Sequence, residues 1–399
     1  MDTILWNSLR WLLLVPVIGG SAYALLSILA VLRFRARANS RPAPTVAAWP
    51  PVTILKPVHG LEKDQRRNLR SACIQDYPDY EVVFSVQDDD DPALPLLYEI
   101  QREFGPDRVT VAVENIRHGT NGKINNMIGG LQHARHDVLV ISDSDVRLEP
   151  DYLKTIVAPL ADPDVGCVCT LYKAAGADSW YERMELLTLN ADFMANVLFA
   201  HVTGASRFCL GASAALSRST LQRIGGLEAL SDYLVEDYEM GRRIWELGKK
   251  VAIVPYFVDT IVDLGSPSHW WSHQVYWDQN TRAARPYAFF ATALVRSVPF
   301  ALLFALARPG DPLGWWVFAG TAALRLVSAA VILGWGLRDR EGLQSLGLLL
   351  PRDLSALATW LLAFTKRTTT WRGARFILTR DGRLVSRDSM AKDHLRTAH

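Results

Sequence analysis

Four short clusters of ionisable residues carry most of the chemistry that this sequence offers. Asp143-Ser144-Asp145 sets two carboxylates two residues apart, directly after the apolar run Val138–Ile141. Hard oxygen donors in that arrangement can hold a divalent cation, Mg²⁺ or Mn²⁺, together with the diphosphate oxygens that such an ion bridges. By itself an acidic pair is also an ordinary solvated or capping turn, and only its position at a strand end favours the metal. Gly122-Lys123-Ile124-Asn125-Asn126 opens a helical segment, where Lys123 can neutralise a diphosphate beside the helix dipole. A solvated surface lysine is the plain alternative. Glu236-Asp237-Tyr238 leads into the helical spacing of Tyr238–Leu247, so Asp237 is either a helix cap or a general base that takes the proton of an attacking hydroxyl.

The fourth cluster, Gln87-Asp88-Asp89-Asp90-Asp91, divides into two parts. Asp91-Pro92 is a helix-entry pair, which gives Asp90 and Asp91 a capping job. Asp88 stands nearest the preceding strand and is the one placed to meet a ligand, for instance the base or ribose of a nucleotide. Lys56-Pro57 likewise follows a strand. In Phe208-Cys209-Leu210-Gly211-Ala212-Ser213 the small residues beginning at Gly211 either admit an acceptor to the backbone or pack tightly.

These clusters need a scaffold, and the intervening residues describe one. Val52–Leu55, Glu81–Val86, Val109–Val113, Val138–Ser142 and Val165–Thr170 are short apolar or β-branched runs. Gln65–Gln75 and Pro95–Phe104 between them have helical spacing. Strands alternating with helices predict an open, mostly parallel sheet, whose ligands bind beyond the carboxyl ends of the strands. Neither GxGxxG nor GxxxxGK[ST] follows any of these strands, which argues against a dinucleotide oxidoreductase and a P-loop kinase.

Composition bounds the partners. A net charge of +2 over 399 residues, without a basic stripe interleaved with aromatics, predicts no nucleic acid partner. Cys73, Cys167, Cys169 and Cys209 lack the paired spacing of a zinc site and are expected to be reduced packing residues.

The two ends of the chain are apolar where the middle is not. Trp11–Leu32 is uncharged, long enough to cross a bilayer, and followed by Arg33, Arg35, Arg37 and Arg41. It reads as an anchor; a cleaved leader is shorter and has its basic residues in front. The arginine cluster puts the middle domain on the cytoplasmic side. Three further apolar stretches follow, Tyr287–Ala307, Pro312–Gly336 and Leu343–Thr365. Three full crossings would leave Lys366, Arg367, Arg372 and Arg375 outside, so the third stretch, broken by Pro351, Arg352 and Asp353, is expected to be re-entrant or interfacial. His269–Arg285 mixes Trp270, Trp271, Tyr276 and Trp277 with basic residues, as an interfacial amphipathic helix does. The expected organisation is an anchor over residues 1–41, a catalytic domain over 42–265, an interfacial segment over 266–286, membrane segments over 287–365 and a basic cytosolic tail over 366–399.

So assembled, the chain resembles the ceramide glucosyltransferases, a branch of the inverting GT-A glycosyltransferases, and their bacterial relatives that glycosylate hopanoids. The resemblance extends over almost the whole chain. It rests on LKPVHG (Leu55–Gly60), DYP (Asp76–Pro78), VQDDDDPA (Val86–Ala93), GKINN (Gly122–Asn126), SDSD (Ser142–Asp145), GGL (Gly225–Leu227), EDY (Glu236–Tyr238) and WRGARF (Trp371–Phe376), in that order. The resemblance implies an α/β, GT-A-type (Rossmann-like) open mixed sheet with transmembrane helices at the N-terminal and C-terminal ends. It makes Asp88 the first aspartate of the family, Asp143 and Asp145 the metal pair, and Asp237 the catalytic base.

One motif departs from the family. Where (Q/R)xxRW is expected, His273-Gln274-Val275-Tyr276-Trp277 keeps only the tryptophan, and Gln279-Asn280-Thr281-Arg282 offers QxxR without one. Residues expected to bind the nucleotide sugar are therefore Lys56, Asp88, Lys123, Asp143, Trp277 and Arg282. The implied function is transfer of a hexose, glucose or N-acetylglucosamine, from a UDP-sugar to a membrane lipid hydroxyl, first of all that of ceramide, by an integral protein of a bacterial inner membrane. A hopanoid acceptor is the alternative. A processive polysaccharide synthase would show more membrane helices and an intact QxxRW, and a silent membrane scaffold would bind no nucleotide sugar.

Overall fold

The computed structural model describes residues 10–40, 46, 48–365, 368–371, 374–379 and 383–386. Arg41, Lys366, Arg367 and Arg372 lie outside them, as does Gly373 of the WRGARF motif. The chain divides into two compact units, one of Met1–Ser40, Gly176–Ala205 and Leu264–Arg367, the other of Arg41–Ala175, Ser206–Asp263 and Thr368–His399. Residues Gly176–Ala205 thus cluster with the apolar ends of the chain, although they sit inside the 42–265 stretch.

The second unit is built on an eight-stranded sheet. Its strands are β1 (Val52–Pro57), β2 (Tyr80–Val86), β3 (Val109–Val113), β4 (Val138–Ser142), β5 (Val146–Arg147), β6 (Val165–Ala175), β7 (Ser213–Ser217) and β8 (Lys250–Ile261). They lie in the order β3-β2-β1-β4-β7-β6-β8-β5. Every residue of β1 and β2 is buried, which is why these strands read as largely apolar runs rather than as alternating ones. The helix Leu94–Phe104 buries Leu94, Leu97 and Ile100 along one stripe, and stops at Gly105, whose φ of 86° suits glycine.

β1, β2, β3 and β4 run parallel, whereas β7 is antiparallel to both β4 and β6. The sheet is therefore open and mixed. Parallel pairing puts the carboxyl ends of β1, β2 and β4 on one edge, and with them Lys56, Asp88 and Asp143. Because Ser142 pairs with Ser213, antiparallel β7 begins at that same edge, and the amide of Asp143 donates to the carbonyl of Ala212 at 3.2 Å. Neither β7 nor β8 was among the strands read from sequence. In β8 the cause is Pro255: it has no N–H to offer the ladder, and the pairing with β6 slips there, Thr170 opposite Val254 but Leu171 opposite Phe257.

The first unit is helical. Arg10–Ala36, Pro312–Leu337 and Leu346–Thr365 are each long and apolar enough to cross a membrane. Pro286–Val295 and Ser297–Leu306, bent by 51° at their junction, make a fourth span if counted together. The break thus falls in the first C-terminal stretch, not the third. Pro351 is tolerated because it is the third residue of the helix Leu349–Thr365, where the first N–H groups have no intrahelical partner to lose. The charges that suggested a break are paired inside the protein: Asp353 accepts from Arg325 Nε and Arg352 Nη1, both at 2.8 Å, and Asp192 bridges the same two guanidinium groups.

Candidate active site

Lys56 is the penultimate residue of the buried strand β1, and its side chain runs beneath the acidic turn. The ammonium donates to Ser142 Oγ at 3.2 Å, to the carbonyl of Asp143 at 2.5 Å and to that of Val146 at 2.9 Å. All three N–H donors of the lysine are engaged, so in this geometry Lys56 fastens the Asp143–Asp145 turn to the sheet rather than reaching outward. Burial lowers its pKa to about 8, against the pull of Asp145 and Asp143.

Lys123 is the residue at which three separate sequence clusters meet. Its ammonium lies 2.6 Å from Asp143 Oδ1 and 3.2 Å from Glu236 Oε1. Asn121 positions it: the side chain of Asn121 accepts from the amides of Lys123 and Ile124 and so starts the helix Gly122–Leu131. The amide of Asn121 donates to Ser231 O at 2.7 Å, and its Nδ2 donates to Tyr233 O at 2.9 Å and to Glu236 Oε2 at 3.3 Å. The loop before one helix is thereby tied to the entry of another, Glu236–Glu246. Although burial opposes a charged lysine, Asp143 and Glu236 hold the Lys123 pKa above its ordinary value.

Asp237 enters the helix Glu236–Glu246 beside Glu236, with its Oδ1 accepting the amide of Tyr238 at 2.7 Å. Burial, and next the charge of Glu236, raise its pKa to about 7, while Lys123 pulls the other way. A carboxyl poised at that value can both take and hold a proton near neutrality. Its Oδ2 faces Gly211, where a Cβ would stand only 2.8 Å away. Gly211 is thus glycine because Asp237 fills the space that a side chain would need.

Asp145, the second carboxylate of the turn, has its pKa raised to about 8 by burial and then by the charges of Asp143 and Glu62. Ser144 Oγ donates to Glu62 Oε1 at 3.0 Å, which draws this third carboxylate to the turn. Hard oxygen donors crowded so that they resist full ionisation fit a divalent cation, which would relieve the excess negative charge. Asp143 and Asp145 are the residues that would hold it.

Asp88 is more exposed. Its Oδ1 accepts from Arg117 Nη2 at 3.2 Å at the rim of the same sheet edge. Asp91 instead turns inward, accepting the amides of Gly60 at 2.9 Å and Ala93 at 2.8 Å, as a capping residue does.

The profile of glycosyl transferase family 21 matches residues 12–384. The chain belongs to glycosyl transferase family 21. Among its curated relatives, ceramide glucosyltransferase 1 of Caenorhabditis elegans is 25% identical over 222 residues, 55% of this chain and 47% of that protein. The ceramide glucosyltransferase of Gibberella zeae is 28% identical over 171 residues, 39% of this chain and 31% of that protein. The chain therefore spans less than half the length of these relatives. A solved mannosyltransferase, PcManGT from Pyrobaculum calidifontis in complex with GDP-Man and Mn2+, shares the fold with a TM-score of 0.52 and 20% identity, over 89% of this chain and 98% of that one.

In this family 21 chain the departed motif lies in the helical unit, on the helix Pro267–Ala284. His273 Nδ1 lies 3.0 Å from Glu185 Oε1, and Gln274 Nε2 donates to the other oxygen of Glu185. His273, one of the two altered positions, thus joins Gln274 in holding a buried carboxylate. Trp277 packs edge-on against His273, and its buried indole N–H has no hydrogen-bond partner among the described residues. The guanidinium of Arg282 stands 5.8 Å from the ring centre of Phe364. Trp277 and Arg282 belong to this unit, and Lys56, Asp88, Lys123, Asp143, Asp145 and Asp237 belong to the other.

Sequence reading missed three residues of the site's framework. Glu236 was overshadowed by its neighbour Asp237; Glu62 carries no motif of its own; Asn121 precedes GKINN by one residue and was passed over. For Asn121 a signal was present, since an asparagine just before a helical segment is a helix cap that fixes where the following lysine points.

Proposed function

We propose that this chain is a membrane-bound inverting glycosyltransferase that moves a hexose, glucose or N-acetylglucosamine, from a UDP-sugar to a lipid hydroxyl, with ceramide the acceptor that its relatives favour. The observation that carries the reading is Lys123, whose ammonium joins Asp143 of the acidic turn to Glu236 beside Asp237. A phosphate-neutralising cation and a carboxyl of raised pKa so combined serve a displacement in which a diphosphate leaves as a hydroxyl attacks.

Asp237 would accept the proton of the lipid hydroxyl while the amide of Tyr238 steadies its other oxygen. One base suffices for inversion, because the acceptor enters opposite the leaving group. Lys123 would spread the charge that develops on the diphosphate. Asp143 and Asp145 would hold Mg²⁺ or Mn²⁺, whose charge, when the ion is bound, neutralises that leaving group further. Lys56 keeps the turn in register, and Asp88 would meet the nucleoside at the rim. Trp277 and Arg282, in the helical unit, are proposed as nucleotide-sugar-binding residues on the family resemblance. The catalytic part is proposed as residues 42–265, with Gly176–Ala205 set aside for the helical unit. It would lie on the cytoplasmic side of the membrane that the helical unit anchors, a bacterial inner membrane.

The test is an assay of the full chain in detergent with UDP-glucose or UDP-N-acetylglucosamine and, separately, ceramide, a hopanoid polyol and diacylglycerol. Lipid mass spectrometry is expected to show a single added hexose on one acceptor, dependent on Mg²⁺ or Mn²⁺. Chains of several sugars would favour a polysaccharide synthase, and neither binding nor hydrolysis of a UDP-sugar would favour a scaffold. Either result overturns the reading.

A further inference from the structure

Cys167 and Cys169 are two residues apart on β6 and so present their thiols to the same face of the sheet. Cys209, from the segment that leads into β7, brings a third thiol to them. Cys209 Sγ lies 3.4 Å from Cys167 Sγ, Cys167 Sγ lies 4.0 Å from Cys169 Sγ, and all three sulfurs fall within 4.8 Å of one another. The amide of Leu210 donates to Cys169 Sγ at 3.3 Å. All three cysteines are buried, and the fourth, Cys73, is not in the group.

We propose that Cys167, Cys169 and Cys209 form a binding site for one divalent thiophilic cation of the zinc class. The triangle has the right size: with sides of 3.4, 4.0 and at most 4.8 Å, a point equidistant from its corners lies roughly 2.2–2.4 Å from each sulfur, the length of a zinc–thiolate bond. Charge selects the valence. In the loading step one M²⁺ and three thiols give M(SR)₃⁻ and three protons released to solvent, leaving a single buried negative charge that the Leu210 N–H helps to hold. A monovalent ion with the same ligands would leave two. Soft sulfur donors also separate this site from the hard oxygens of Asp143 and Asp145, so one ion cannot serve both.

The site has a geometrical bearing on the rest of the unit. Cys209 stands two residues before Gly211, and its amide nitrogen is pressed against Gly241 of the helix that carries Asp237. An ion held by Cys209 would brace the loop behind that helix without touching any reacting group. The inference does not depend on which sugar or acceptor the protein uses.

Cadmium is the probe, because thiolate-to-cadmium charge transfer absorbs in the ultraviolet where carboxylate sites are silent. Reduced full-length protein in detergent, purified from cells grown with Cd²⁺ and then titrated, is expected to show this band at one Cd²⁺ per chain, and excess Zn²⁺ should compete it away. C167A, C169A and C209A should each lose the band while C73A, also a buried cysteine, retains it. C209S keeps the volume of the side chain and removes only the soft donor, so it carries the test should an alanine variant fold poorly. A wild-type chain without the band, a band that survives C209S, or a disulfide between two of the three cysteines in protein purified without reductant would each overturn the proposal.

Discussion

The ammonium of Lys123 lies 2.6 Å from Asp143 Oδ1, so the lysine of one helix start is locked to the acidic turn at the end of a different strand. That contact ties the charge-neutralising group to the proposed metal pair. Charge-assisted hydrogen bonds contribute roughly 1.5–3 kcal/mol each. Replacing Lys123 by Met is therefore expected to weaken nucleotide-sugar binding about 10- to 150-fold. Calorimetric titration of the detergent-solubilised chain checks this; unchanged affinity would remove Lys123 from the donor site.

Asp237 is a separate matter from binding. Its replacement by Asn keeps shape and removes the proton acceptor, and general base catalysis contributes about 10²–10⁴ in rate. Transfer by D237N is expected to fall by that factor while the Kd for the nucleotide sugar changes little. Wild-type turnover in D237N would sink the assignment.

The pH profile follows from the same residue. As the proposed base Asp237 must be ionised, and burial together with Glu236 raises its pKa to about 7, opposed by Lys123 and the Tyr238 amide and reinforced by Asp143. Activity limited by Asp237 should then fall tenfold per unit as pH drops below about 7, with about a tenth of the base ionised at pH 6. Since Lys123 lowers this pKa, K123M should move the limb to higher pH. A limb that stays in place in K123M would show that another group controls it.

Gly211 tests the packing behind the base. An added Cβ would stand 2.8 Å from Asp237 Oδ2, so G211A forces the carboxylate to shift. Misplacement of a reacting group by about 1 Å costs on the order of 10²-fold in rate. The expected result is a large loss in kcat with KM for the donor nearly unchanged and the fold retained by circular dichroism.

Glu81 is a buried support of the sheet. Buried in β2, it accepts from Thr53 Oγ1 at 2.6 Å and from the amide and Nε of Arg135 at 2.6 and 2.5 Å. Burial would raise its pKa, but these bonds hold it below the ordinary value, so its contribution is complete above the unfolded-state pKa and is lost as pH falls through the folded one. E81Q should cost roughly 1–3 kcal/mol at neutral pH and flatten the decline of stability in acid. Denaturant unfolding at pH 7 and pH 4 measures both.

The sequence by itself determined the alternation of strands and helices, because buried parallel strands need unbroken apolar runs and their connecting helices need a stripe, and both patterns are local. It also determined which chemical groups were available: the acidic pair at the end of β4, the lysine at a helix start and the carboxylates of EDY. What each of them does was decided by the tertiary structure. Lys56 at a strand end and Lys123 at a helix start were both read as donor-binding lysines, yet parallel pairing of β1 with β4 turns Lys56 under the acidic turn, and the Asn121 cap turns Lys123 onto it. Glu62, Asn121 and Glu236 entered the site only through contacts across long stretches of chain, as did the meeting of Cys209 with Cys167 and Cys169. The bend in the first C-terminal apolar stretch, and its absence at Pro351, likewise turned on where the helices begin. Periodicity is written in neighbours along the chain, whereas the direction of a charged side chain depends on which groups satisfy it, and those groups are brought together only when the sheet closes its register.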